Sequence, residues 1–249
     1  ELGRTDGVVR RGRVRYDENQ VIRLAQQRRL VDPARAQGCF ELRRQARSVV
    51  IDDLHPEAQR PAQPLSPSDL GGAKALPGES LSLTEDQAKA RGTAVHLLLE
   101  HLPAFAPADW PSAAANLIPD ATLCSDALEE AQRLLQTSDL AWLFTPDSLA
   151  EAPFCARIGS SLISGSIDRL IVTADRITIV DFKSNTVVPK SADQVPEGIL
   201  RQMGAYVAAL RQVYPGRSVQ PFILWTRSAQ LMPLAPDIVS AALERAAIP

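Results

Sequence analysis

The stretch from residue 165 to 184, GSIDRLIVTADRITIVDFKS, leaves the chain little conformational freedom. β-Branched and apolar residues flank Ala174 and Asp175 on both sides, which predicts two short strands joined by a tight turn. Side chains on a strand alternate faces, so Ile177, Ile179, Asp181 and Lys183 point one way and Thr178, Val180 and Phe182 the other. A hairpin then brings Asp168 beside Asp181 and Lys183, and two carboxylates converge with one ammonium. Such a set suits a hard divalent cation, which takes a few carboxylate oxygens and acidifies the water it retains. A plainer alternative stands beside this one. An Asp and a Lys two apart on an exposed strand face are ordinarily solvated charges, worth about 0 to 1 kcal/mol.

The hairpin has legible neighbours. Gly159 and Ser160 mark a turn between strands around Ala150 to Ile158 and Leu162 to Val172, so that three strands form an antiparallel meander. Glu151, at its start, supports the site or is simply solvated at an edge. Upstream, Thr84 and Gln87 fit a capping box that opens a helix running to about Leu102, before Pro103. Val95, Leu98, Leu99 and Leu102 make its apolar face, and Gly92, His96 and Glu100 a separate stripe. A lone helix histidine is most often hydrogen bonded at the surface. Neutral imidazole nevertheless binds divalent cations, which makes His96 a candidate ligand and Glu100 a weaker one.

Residues 104–148 read as a helical insertion in which Ser125 caps a helix with the stripe Leu128, Ala131, Leu134 and Leu135. Trp142, Leu143 and Phe144 follow as a buried anchor. Past the hairpin, SNTVVPKSADQVPEG is a loop in which Asn185 and Lys190 face substrate. Ile199 to Arg211 reads as a helix with Gln202 and Tyr206 on its polar stripe. Strands over Gln220 to Thr226 and through Leu231, then a helix from Asp237, complete a mixed sheet with a crossover.

With 249 residues, 45% of them hydrophobic, the chain can bury one sizeable core. Its net charge of −2 is uneven: residues 1–65 hold 13 Arg against 9 acids, and the remainder 14 basic against 20 acidic residues. Any contact with nucleic acid therefore rests on local Lys and Arg, on metal, or on a partner. Arg10, Arg11, Arg13 and Arg15 read as solvated charges or as phosphate contacts. Five prolines between residues 56 and 80 place a boundary near Leu65, separating an Arg-rich segment, 1–65, from a domain over 66–249. Cys39, Cys124 and Cys155 lack CxxC spacing, which argues against a disulfide framework or a zinc site and for buried thiols. No run approaches 18 apolar residues and no signal-peptide core is present, so the expectation is a cytoplasmic protein with no membrane segment. The missing initiator Met suggests a fragment of a longer chain.

Taken in order, RGTAVH, GSIDRL, VDFKS and QMGAYVAAL resemble the motif series of the RecB-like branch of the PD-(D/E)xK nuclease superfamily, with wording nearest to AddA-type C-terminal nuclease domains. The resemblance implies an α/β, restriction-endonuclease-like core over 66–249: a mixed central sheet flanked by helices, with a helical insertion. It further implies that His96, Asp168 and Asp181 bind Mg²⁺ or Mn²⁺, with the Phe182 backbone carbonyl as a further ligand. Asp168, Asp181 and Lys183 would be catalytic, with Gln202 and Tyr206 supporting the site or touching DNA. The implied activity is DNA phosphodiester hydrolysis, exonucleolytic on single strands, within an AddAB-type helicase–nuclease of double-strand break repair and recombination. A helicase domain in the full-length chain and an AddB-like partner subunit are then expected, with residues 1–65 as the helicase tail or linker. The alternatives are a free-standing nuclease of another pathway and an inactive DNA-binding clamp. No GxxxxGK[ST] loop is present, so no ATP site is expected, and three scattered cysteines do not supply an iron–sulfur cluster. The chain has 23 Arg and four Lys, so a lysine in the Asp-x-Lys position is not what its composition supplies by default.

Overall fold

Five strands form one sheet whose spatial order is the chain order: β1 (Ser148–Ile158), β2 (Ser161–Val172), β3 (Arg176–Lys183), β4 (Ser218–Trp225) and β5 (Gln230–Pro233). The computed structural model describes residues 64–77 and 84–246, all within the unit Ile51–Pro249. Arg10, Arg11, Arg13, Arg15 and Cys39 lie outside the described residues. Among the described residues, four α-helices precede or cross the sheet: α1 (Glu85–His101), α2 (Trp110–Leu117), α3 (Ala121–Gln136) and α4 (Glu197–Val213); α5 (Pro236–Glu244) closes it.

The meander expected for β1, β2 and β3 is antiparallel throughout. Gly159 turns the first hairpin at φ 60°, a conformation that glycine adopts without a Cβ penalty. Thr173 N–H donates to Arg176 O at 2.9 Å across the second. β3 and β4 run parallel, which requires a crossover, and α4 supplies it. β5 returns antiparallel to β4. The result is the mixed α/β sheet flanked by helices that the sequence pattern calls for.

Alternation along β3 and β4 divides the apolar residues between two cores. Ile177, Ile179, Ile223 and Trp225 pack with Ile199, Met203, Tyr206 and Leu210 of α4 and with Val239 and Ala242 of α5. Val180, Phe182 and Leu224 pack on the opposite face with Val95, Leu98 and Leu99 of α1, Ala114 of α2, and Ala127, Ala131 and Leu134 of α3. Gly204 lets α4 and α5 meet, since a Cβ there would lie 2.3 Å from Val239 O.

Thr84 caps α1 in a full capping box: its hydroxyl accepts from Gln87 N–H at 3.2 Å and its own N–H donates to Gln87 Oε1 at 2.9 Å. Three local expectations are corrected. Asp120, not Ser125, caps α3, accepting from Leu123 N–H at 2.9 Å, because buried Cys124 and Ala127 extend the apolar stripe one turn earlier. Trp142 is 40% exposed and rests edge-on against Phe222, leaving buried Leu143 as the anchor. Cys155 is exposed, since burial of Ala156 turns its neighbour outward, whereas Cys124 is buried. Among the described residues no helix is long and apolar enough to cross a membrane.

Candidate metal centre

Two turns determine which residues meet. Ile158 pairs with Ser161 and Val172 with Ile177; counting along these registers puts Glu151, Asp168 and Asp181 in one row across β1, β2 and β3. The row interrupts the sheet. Leu149 and Ala152 on β1, and Ile167 and Leu170 on β2, all pack on the α4 core although each pair is three residues apart, so strict alternation slips between them. Glu151 takes up the slip with φ 45°, a left-handed conformation uncommon for a residue with a Cβ.

The slip opens the row to α1. His96 packs edge-on against Phe182, ring centroids 5.5 Å apart, and its Nδ1 lies 3.4 Å from Asp168 Oδ1. Gly92, one turn earlier, permits this approach: a Cβ there would stand 2.9 Å from Ser184 Oγ at the end of β3. Asp168 Oδ2 accepts from Phe182 N–H at 2.6 Å. Ser166 Oγ donates to Glu151 Oε2 at 2.6 Å. One ligand atom each from His96, Glu151 and Asp168 fall within 4.8 Å of one another. One imidazole nitrogen and two carboxylates from three different elements fit a hard divalent cation, which favours oxygen donors and accepts a neutral imidazole.

Asp181 belongs to an adjoining network. Its Oδ2 lies 2.6 Å from Lys183 Nζ, and its Oδ1 accepts from Gln202 Nε2 at 2.8 Å. Gln202 Nε2 also donates to Tyr206 OH at 2.7 Å, while its Oε1 accepts from Lys183 Nζ at 3.1 Å. Gln202 and Tyr206, four apart on α4, are both buried. The structure thus brings His96, Glu151 and Asp168 into one cluster, and Asp181, Lys183, Gln202 and Tyr206 into a second beside it. Two other residues stand apart: Glu100 faces His101 at 3.7 Å, and Lys190 is exposed, its N–H donating to Gln194 Oε1 at 3.3 Å.

Burial works against charge on His96, yet the Asp168 carboxylate, with Asp181 behind it, holds the imidazole above its ordinary pKa. Burial likewise opposes ionisation of Asp168, but His96, the Phe182 N–H and Lys183 together hold it below the usual carboxylate value. Asp181 goes the other way: burial, reinforced by repulsion from Asp168, outweighs Lys183 and raises it. Burial and the nearby carboxylates keep Tyr206 a neutral phenol, its pKa well above the ordinary one. Two carboxylates in one site with opposite shifts is an arrangement frequent where charge has a task.

Two contributors escape motif reading. Ser166 holds Glu151, and its only signal is its place two residues before Asp168 on a strand with period two. Arg169 is buried behind the site, donating Nη2 to Leu99 O and lying 5.1 Å from the Phe144 ring centroid; burial lowers its pKa to about 10. It ties α1 to β2, and its signal is a charge inside the apolar run IDRLIV.

A family model described as the PD-(D/E)XK nuclease superfamily matches residues 72–232, well over half of the chain. Among solved structures, a crystal structure of SSO0001 matches at 12% identity with a TM-score of 0.27, covering 60% of this chain and 72% of that one. No curated protein matches.

Proposed function

Because the chain belongs to the PD-(D/E)XK nuclease superfamily, we propose that it is a deoxyribonuclease that hydrolyses phosphodiester bonds with Mg²⁺ or Mn²⁺ held by His96, Glu151 and Asp168. The observation that carries this reading is the convergence of those three donors within 4.8 Å, beside the Asp181–Lys183 ion pair. The motif resemblance adds Asp181 and the Phe182 carbonyl to this ligand set. A bound divalent cation supplies Lewis acidity, polarising a phosphoryl oxygen and lowering the pKa of water.

The chain's own groups orient and compensate charge. Lys183, held by Asp181 at 2.6 Å and Gln202 at 3.1 Å, offers an ammonium where negative charge builds on the scissile phosphate. Gln202 gives its Nε2 to Asp181 and Tyr206, so its Oε1 is turned toward Lys183. Ser166 fixes one oxygen of Glu151, and the Phe182 N–H fixes one of Asp168, which sets how the other oxygens point.

Cleavage of an end-labelled oligonucleotide with and without Mg²⁺ tests the reading. Addition of EDTA abolishes cutting, and Lys183→Ala or Asp181→Ala lowers the rate on the order of 10² to 10³ while circular dichroism stays native. Full activity in either variant overturns it. The reading extends to exonucleolytic action on single strands within an AddAB-type helicase–nuclease of break repair and recombination, with a helicase domain in the full-length chain and an AddB-like partner. The wording and order of RGTAVH, GSIDRL, VDFKS and QMGAYVAAL support that extension. Comparison of linear with circular single strands tests the exonuclease part, since only the linear form should be degraded.

A further inference from the structure

Beside the Lys183 end of β3 stand two guanidinium groups that, among the described residues, form no ion pair. Thr226, just after β4, donates its N–H to Lys183 O at 2.9 Å and joins the two strand ends. The next residue, Arg227, donates Nε to Ser184 O at 3.0 Å. From α3, Arg133 donates Nη2 to Thr226 O at 3.2 Å and to Arg227 O at 2.8 Å. Both side chains are therefore bonded to main-chain carbonyls. Among the described residues neither forms an ion pair with any Asp or Glu. Glu130, one turn before Arg133 on α3, is buried and paired with Arg91.

A guanidinium carries five N–H donors in a fixed fork. Arg227 commits only Nε and Arg133 only Nη2, which leaves Nη1 and Nη2 of the first, and Nε and Nη1 of the second, without a described protein partner. Arg133 is exposed and Arg227 half-buried, so both remain within reach of a ligand. Both cations are anchored on the backbone of one strand-end region, Arg133 on the Thr226 and Arg227 carbonyls and Arg227 on that of Ser184, and an anion there would offset their charge. Both are rigidly placed, since each bond runs to the backbone of the strand-end region. They also lie next to the candidate site, because Ser184 follows Lys183 and its Oγ crowds Gly92, one turn before His96 on α1.

Resting on the nuclease reading above, we propose that Arg133 and Arg227 grip a backbone phosphate neighbouring the one that is cut, so that the DNA strand passes the site over the α3 side of the sheet end. Arginine forks match phosphate oxygens in pairs and read no base, so the grip is independent of sequence.

Binding of a fluorescein-labelled single-stranded oligonucleotide to the full chain, followed by anisotropy in EDTA across a series of KCl concentrations, tests the proposal without cleavage. Arg133→Gln/Arg227→Gln should raise Kd about tenfold and flatten the slope of log K against log salt by about 0.7 for each phosphate that is no longer neutralised. Arg133→Lys/Arg227→Lys keeps the charges while giving up the fork, and should restore most of the affinity and slope. In Mg²⁺ the Gln variant should cut with a raised KM and kcat changed much less. Wild-type affinity and slope in the Gln variant, an equal defect in the Lys variant, or failure of the wild type to bind the oligonucleotide would each overturn the proposal. Equal defects would mean that the arginines only brace the strand ends. A wild type that binds as described but cuts nothing would sink the nuclease reading, and with it the relation to a cut phosphate, while leaving the phosphate grip of the two arginines standing.

Discussion

Glu151 gives the sharpest separation of structure from function, because its backbone and its carboxylate can be tested apart. Its φ of 45° costs a residue with a Cβ about 1 to 2 kcal/mol. Glycine escapes that cost but loses about 0.5 to 1 kcal/mol through its freedom in the unfolded chain. Glu151→Ala and Glu151→Gly both remove the carboxylate and the bond from Ser166, so those losses cancel between them. The Gly variant should then be the more stable by about 1 kcal/mol, or about 2 to 4 °C in Tm for a domain of this size. Scanning calorimetry in EDTA measures the difference, and titration calorimetry with Mn²⁺ measures the ligand role. Both variants should lose at least tenfold in Mn²⁺ affinity, by analogy with the cost of disturbing metal-site partners. An Ala variant as stable as the Gly variant would show that the backbone there is unstrained; undiminished Mn²⁺ affinity in both would remove Glu151 from the ligand set.

Mg²⁺ or Mn²⁺ at 100 times Kd should stabilise the protein by about 2.7 kcal/mol, seen as a rise in Tm of several degrees that EDTA reverses. Arg91→Ala strands the carboxylate of Glu130, which is 2% exposed, and should cost about 3 to 5 kcal/mol in denaturant unfolding; Arg91→Met/Glu130→Met should recover most of it. Gly204→Ala drives a Cβ into the Val239 carbonyl, and despite the better helix propensity of alanine should lose about 1 to 3 kcal/mol in the same assay. Hydrogen bonding from Arg245, aided by Arg201, holds Glu197 below its ordinary pKa of 4.5. Its stabilisation is therefore complete above pH 4.5 and is lost as pH falls through the lowered value. The Tm gap between wild type and Glu197→Gln should close below pH 4.5 and stay constant from there to neutrality.

Periodicity made most of this fold readable. Thr84 with Gln87, the i, i+3, i+4 run from Val95 to Leu102, and the alternation from Ile177 to Lys183 each specify a local structure that the tertiary contacts do not override. The two hairpin turns also fix the registers, and hence the row of Glu151, Asp168 and Asp181. Glu151 alone nevertheless reads as an edge carboxylate, because its approach to His96 depends on a slip in alternation and a left-handed φ that no residue type announces. Gln202 and Tyr206 read as a polar stripe whose burial is not legible, for a related reason. Burial of a polar face depends on what covers it, and here that is Asp181 and Lys183 at the end of β3. Arg133 and Arg227, 94 residues apart, become neighbours only through main-chain carbonyls, to which sequence patterns are blind.

If His96, Glu151 and Asp168 hold one catalytic cation, a crystal soaked in Mn²⁺ and measured at the manganese absorption edge locates that ion directly. A single anomalous peak is expected, coordinated by an imidazole nitrogen of His96 and by carboxylate oxygens of Glu151 and Asp168, and lost in the Asp168→Ala variant. A peak elsewhere on the sheet end, or one that His96 and Glu151 do not touch, would contradict that assignment.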